Sequence, residues 1–188
     1  MKKIILASSS PRRKDILTKL GLDFEIIPSF YEESLDDLNF SYEKIEELAY
    51  NKAKAVANTL NYPAIVIGAD TVVVLDGQIL GKPADEKNAV EMLKSLSGKV
   101  HCVVTSICII DSEGFESKNL SATSYVEFEI LPEAMIKNYV QNFNPLDKAG
   151  SYGIQELPDG FVKKIEGSFE NIIGLCSLTL LDALKSFK

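Results

Sequence analysis

The chain has 188 residues, 46% of them hydrophobic, enough for one domain spanning residues 1–188 with a sizeable core. A formal charge of −7 and a pI near 4.9 argue against general affinity for nucleic acid or an anionic membrane surface. No apolar run is long enough to cross a bilayer, and the one after Met1-Lys2-Lys3 is too short for a signal peptide.

The chain opens on a buried-strand pattern, Ile4 to Ala7, interrupted by Ser8, Ser9 and Ser10. Pro11 stands where a helix would begin, with Ser10 as its N-cap, and Gly21 supplies the stop. Arg12, Arg13 and Lys14 therefore crowd the helix N-terminus, where cations cost a few tenths of a kcal/mol each against the helix dipole. An anion at the site offsets that cost. Phosphate fits, held by free N–H groups, serine hydroxyls and an Arg fork.

Residues 22–28 read as a second strand and residues 29–40 as an acidic loop carrying Glu32, Glu33, Asp36 and Asp37. Ile45, Leu48, Ala49, Ala53, Val56 and Ala57 recur at helical spacing and predict a helix over 42–60, with Lys52 on it. Residues 65–75 read as a buried strand broken once, at Gly68-Ala69-Asp70-Thr71, and Asp76-Gly77 as a hairpin turn. Asp85 caps a helix ending near Gly98. Residues 100–111 and 120–130 predict two long antiparallel strands, and Pro132 opens a helix stopped by Asn144-Pro145. A glycine-bearing loop at 147–155, a short strand at 161–165 and a helix at 177–187 complete the chain. Alternating strands and helices followed by antiparallel pairs predict an α/β fold, a mixed sheet with helices on its faces.

Cys102, Cys108 and Cys176 form no CxxC pair and lie among apolar residues, which reads as reduced core thiols of a cytoplasmic protein. The single His101 leaves no His-rich metal site and is a poor basis for a Ser–His–Asp triad. Hydrolytic chemistry would fall to carboxylates, lysines and a hard metal. Asp70 is the sharpest signal: a carboxylate inside an apolar strand is expensive unless it is paired, metal-bound or at a cleft. It suits a general base for water, a metal ligand, or both, and Gly68 beside it lets something approach the backbone. Lys82, pinned between Gly81 and Pro83, suits a ligand contact. Glu33 could reach a metal, and the amide of Gln155 can read a base edge by paired hydrogen bonds.

These stretches resemble the Maf family of nucleotide pyrophosphatases, the septum-formation-inhibitor-like proteins. The resemblance spans nearly the whole chain. It rests on L-A-S-S-S-P-R-R (6–13), Glu33, L-A-Y-N-K-A (48–53), G-A-D-T-V-V (68–73), G-K-P (81–83), S-G-K-V-H (97–101), D-K-A-G-S-Y-G-I-Q (147–155) and I-E-G-S-F-E-N-I-I-G-L (165–175). It implies a twisted mixed sheet flanked by helices, with two lobes around a central cleft. It implies hydrolysis of a nucleoside triphosphate to the monophosphate and pyrophosphate with a divalent cation, Mg²⁺ or Mn²⁺. By position, Ser8, Ser10, Arg12, Lys52 and Lys82 correspond to the phosphate contacts, Glu33 and Asp70 to the metal ligands, and Asp70 to the proton acceptor. Arg13, Thr71 and Gln155 correspond to specificity positions, and G-A-D-T with G-I-Q is similar to the branch acting on dTTP and UTP. The chain departs from the family at Glu156, where a Gly often follows G-I-Q, and at Cys176, where Pro is common.

The expected partner is a small nucleoside triphosphate, with no nucleic acid and no membrane, and a homodimer is left open. One rival reading keeps the chemistry on 7-methyl-GTP. The other is a non-catalytic nucleotide-binding regulator of cell division, against which the buried Asp70 counts.

Overall fold

A computed structural model describes residues 2–31 and 37–187. Its organising element is the apolar run expected at 65–75, which forms one continuous strand, β3 (Ala64–Leu75). The expected break at Gly68–Thr71 does not occur. Gly68 serves packing instead: a Cβ there would lie 2.3 Å from the carbonyl oxygen of Ala49 and 2.7 Å from the nitrogen of Ala53. Both alanines belong to helix α2 (Tyr42–Ala57), which crosses β3 at that point. Glycine on the strand and alanines on the helix let two backbones meet.

Strand β1 (Lys3–Leu6) pairs parallel with β3 on one side and with β2 (Phe24–Ile26) on the other. Helix α1 (Pro11–Lys19) links β1 to β2, and α2 precedes β3. The Asp76-Gly77 turn has both residues at positive φ, 50° and 78°, and returns the chain as the short strand β4 (Gln78–Leu80). Helix α3 (Glu86–Leu96) is capped as expected: the Asp85 carboxylate accepts from the N–H of Asn88. Strands β5 (Val100–Asp111) and β6 (Ser117–Phe128) then form a long antiparallel pair beside β3. Helix α4 (Glu133–Phe143) ends on Asn144 in the left-handed region, and β7 (Val162–Glu166) closes the sheet against β6.

The expected C-terminal helix is α6 (Ser177–Leu184) followed by one 3-10 turn. A five-residue helix not anticipated from sequence, α5 (Phe169–Ile173), precedes it; the Ser168 hydroxyl caps it by accepting from the N–H of Asn171. The result is an open, twisted mixed sheet in the order β2-β1-β3-β5-β6-β7, with β4 on β3 and helices on its faces.

Side chains alternate across a strand, so β3 sorts the core. Its even-numbered residues Val66, Val72 and Val74 face α2. Its odd-numbered residues divide into two clusters. Ile65, Ile67 and Ala69 are covered by α1 and α6, and Val73 and Leu75 by α3 and α4. Thr71 falls in the gap between them. Of the three cysteines, all free, Cys108 and Cys176 are buried as expected, and burial pushes the Cys108 thiol up to about 12. Cys102 is only half-buried, because β5 turns it toward the edge of the α2 side.

Candidate active site

The gap in the helical cover of β3 is the floor of a cleft of about 580 Å³. Asp70 and Thr71 are consecutive, so they point to opposite faces of the sheet, and the cleft reaches both. Asp70 is 5% exposed, on the α2 side. The Lys52 ammonium donates to its Oδ1, and the two side chains are 13% and 8% exposed. A buried carboxylate and a buried lysine are each expensive alone, and their pairing removes the uncompensated charge. The sequence placed the two 18 residues apart; the close crossing at Gly68 brings them together.

The joint between β1 and α1 forms a second wall. Ser10 occupies the N-cap position as expected, but its hydroxyl makes no capping bond. The Ser8 hydroxyl instead accepts from the N–H of Ser10 at 3.2 Å, turning the loop back on itself. Pro11 has no N–H, and the amides of the first turn are not capped by a side chain. That leaves a helix N-terminus able to receive an anion.

The two adjacent arginines have different settings. Arg13 donates from Nε to the Gly174 carbonyl at 2.9 Å, from one terminal nitrogen to Ser8 Oγ at 3.2 Å, and from the other to Thr71 Oγ1 at 3.0 Å. Thr71 Oγ1 is in turn 2.9 Å from Thr105 Oγ1, whose hydroxyl donates to the Asn171 carbonyl at 3.0 Å. Arg13 thus binds α1, β3 and the end of α5 together at the cleft floor. Arg12 lines the cleft half-buried, and its side chain makes no hydrogen bond or ion pair with a described residue. Lys82 lines the opposite rim and is exposed and likewise unpartnered among the described residues.

Residues 147–156 make the third wall. Gly150 donates its N–H to the Gly81 carbonyl at 3.0 Å, docking this loop on the corner that carries Lys82. Gly150 has φ +65°, and a Cβ would strike Val73 at 2.8 Å, so no other residue fits. The Tyr139 hydroxyl accepts from the N–H of Gly153, and burial pushes that phenol up to about 12. Gln155 sits exposed on the following turn, facing the cleft. Behind the loop, buried His101 pairs through Nε2 with the Tyr152 hydroxyl at 2.8 Å; burial lowers the imidazole to about 4.

Of the residues expected at the site, Ser8, Ser10, Arg12, Arg13, Lys52, Asp70, Thr71, Lys82 and Gln155 all line this cleft. Glu33 lies outside the described residues. Lys148 was not singled out from sequence, yet it is 8% exposed and lines the cleft. It donates to Asp147 Oδ1 at 2.9 Å and stands 3.2 Å from Glu156 Oε2. Burial alone would raise the Asp147 carboxyl, but the Lys148 hydrogen bond and the positive charges of Lys148 and Arg12 hold it below its ordinary range.

Among the described residues no group of three His, Cys, Asp or Glu side chains gathers as a metal cage. Mg²⁺ does not need one: it is ordinarily held by one or two carboxylates together with substrate phosphates and water. Asp70, a carboxylate facing a cleft with cationic walls, fits that donor set.

A family model described as Maf-like protein matches residues 3–187. The dTTP/UTP pyrophosphatase of Ruminiclostridium cellulolyticum is 46% identical over 176 residues, covering 93% of this chain and 91% of that protein. The protein of the same name from Pelotomaculum thermopropionicum is 43% identical, covering 100% of this chain and 97% of its own. Among solved structures, a HAM1 protein from Coxiella burnetii is similar at 17% identity and a TM-score of 0.48, over 70% of this chain and 75% of that one. With the family's model matched from β1 to the last turn, and relatives above 40% identity along nearly their full length, the chain belongs to the Maf family.

Proposed function

We propose that the protein hydrolyses dTTP and UTP to the nucleoside monophosphate and pyrophosphate. The observation that carries this reading is Asp70: a carboxylate 5% exposed in the middle of an apolar strand, paired with Lys52 and opening into a cleft walled by Arg12 and Lys82. The printed activity of the relatives, dTTP/UTP pyrophosphatase, supports the choice of substrate.

In this reading the triphosphate lies between the α1 N-terminus and Lys82. The uncapped amides, the Ser10 hydroxyl, Arg12 and Lys82 face its oxygens. Asp70 accepts a proton from the attacking water, whose oxygen bonds to the α-phosphorus as the bond to the β-phosphate oxygen breaks. Lys52 holds the Asp70 carboxylate in place. A bound Mg²⁺ or Mn²⁺, for which Asp70 and Glu33 are the candidate ligands, would polarise the phosphoryl oxygens and neutralise charge. Gln155 offers a donor and an acceptor in one plane, which suits the N3–H and a neighbouring carbonyl of uracil or thymine. The small Thr71 leaves room at the cleft floor. We place the protein in the cytoplasm, where its three free cysteines suit a reducing compartment.

The test is a panel of triphosphates with Mg²⁺, scored by pyrophosphate release. UTP and dTTP should be the best substrates, CTP weaker, ATP and GTP poor. A preference for 7-methyl-GTP would overturn the base assignment, and absence of turnover on every member would overturn the catalytic one.

A further inference from the structure

Lys148 is a buried ammonium in the cleft that the phosphate-binding scheme leaves unused. Its stem runs beneath the turn that carries Gln155. A Cβ on Gly153 would lie 3.0 Å from Lys148 Cε and 3.1 Å from its Cδ. Gly153 has no positive φ, so a side chain there would be limited only by space: it would press on the end of Lys148 and, at 3.1 Å, on Glu156 Oε2, shifting them by a few tenths of an ångström. The ammonium has three N–H donors. Asp147 takes one, while Glu156 Oε2, at 3.2 Å, accepts no hydrogen bond. Donor capacity therefore remains on Lys148, beside the side chain best suited to read a base.

The local charge tells what kind of group this donor serves. Asp147, Lys148 and Glu156 together carry one net negative charge. That is a poor setting for a triphosphate and a suitable one for a neutral ring with carbonyl oxygens. The cations unpartnered among the described residues, Arg12 and Lys82, belong to other walls of the cleft.

We propose that Lys148 is a specificity residue that donates a hydrogen bond to a ring carbonyl of the pyrimidine, with Asp147 and Glu156 fixing its position. The proposal rests on the reading of the cleft as a pyrimidine triphosphate site. Its test separates base from phosphate. In the Asp70→Asn background, with Mg²⁺, calorimetry gives the affinities for UTP and for tripolyphosphate, which has no base. Lys148→Met should weaken UTP about tenfold, the effect of losing one hydrogen bond to a charged donor, and leave tripolyphosphate within about twofold. Parallel weakening of both ligands would make Lys148 a phosphate contact and overturn the proposal. Unchanged affinity for both, with a lowered Tm, would make it a structural brace and also overturn it. Gly153→Ala displaces the lysine without removing it, and serves if Lys148→Met does not fold. It should produce the same selective loss of UTP affinity, and no loss would count against the assignment. Pyrophosphate release by the unmodified protein is read separately, so failure of turnover and failure of the base contact remain distinct.

Discussion

Two walls of the cleft carry positive charge in opposite ways. At the α1 N-terminus and the Gly81–Pro83 corner, Arg12 and Lys82 have no partner among the described residues. At the 147–156 loop, Lys148 is buried between two carboxylates, and on the cleft floor Arg13 spends its donors on Gly174, Ser8 and Thr71. A cation that bonds no described side chain gives up no such bond when an anion replaces water around it. A cation already bonded to its own protein would have to give up those bonds. The first wall therefore offers charge to a polyanion without giving up a bond to a described residue, while the second fixes its cations in place, with donor capacity left over on Lys148. Asp70 and Lys52 lie between, paired with each other and open to the cleft.

The sharpest way to break this comparison is at its centre. Asp70→Asn keeps the shape of the side chain and removes the base. Turnover on UTP should fall by about 10² or more, in the range of loss of a general base, while the circular dichroism spectrum stays native. A variant with near-normal kcat at saturating Mg²⁺ would show that Asp70 takes no proton.

The next largest effects compare the arginines. Arg12→Ala and Lys82→Ala should each raise KM for UTP about tenfold and weaken tripolyphosphate inhibition to match, with Tm nearly unchanged. Arg13→Ala should lower Tm as well, because three hydrogen bonds tying α1 to β3 and to the end of α5 go with it. If Arg12→Ala lost stability and kept its KM, the division between binding and structural cations would fail.

Part of this is legible in the sequence. Asp70 stood out because a carboxylate inside an apolar strand needs a reason, and Asp76-Gly77 and Asp85 act locally, through turn and cap chemistry. Other features depend on distant contacts. Gly68 marks a place where something can approach the backbone and also suggests a break in β3; only the crossing of α2 shows that the approach is real and the break is not. Arg12 and Arg13 look alike in a string, yet a helix turns successive residues about 100° apart, so Arg12 faces the open cleft while Arg13 is turned onto its floor against Gly174, Ser8 and Thr71. Lys148 belongs to the D-K-A-G-S-Y-G-I-Q motif, but nothing local marks it as buried: its burial depends on Gly150 docking at Gly81 and on the space left at Gly153. The short helix α5, fixed by Ser168 and by buried Asn171 bonding Val103 and Ser124, escaped a reading based on periodicity because five residues show none.

The smallest expected effect probes the rigid wall from behind. His101 is 2% exposed, bonds the Tyr152 hydroxyl, and packs edge-on against Phe128 and Tyr152. Burial lowers its imidazole from 6.5 to about 4, so the folded protein holds it neutral where the unfolded chain would protonate it. Below pH 6.5 the unfolded state therefore binds a proton that the folded state refuses. Stability falls with pH through that window, and the loss is complete once the pH drops below about 4. Between pH 6.5 and about 5.5 the loss from this one group is about 1 kcal/mol. His101→Phe keeps a ring in the aromatic cluster and cannot titrate. It should be less stable at neutral pH, since the Tyr152 hydroxyl loses its partner, but its stability should fall less steeply across the same interval. Denaturant unfolding at a series of pH values reads the slope directly. An equal slope in both proteins would mean that the acid sensitivity comes from the carboxylates, and that His101 does not titrate against the fold that holds the 147–155 loop.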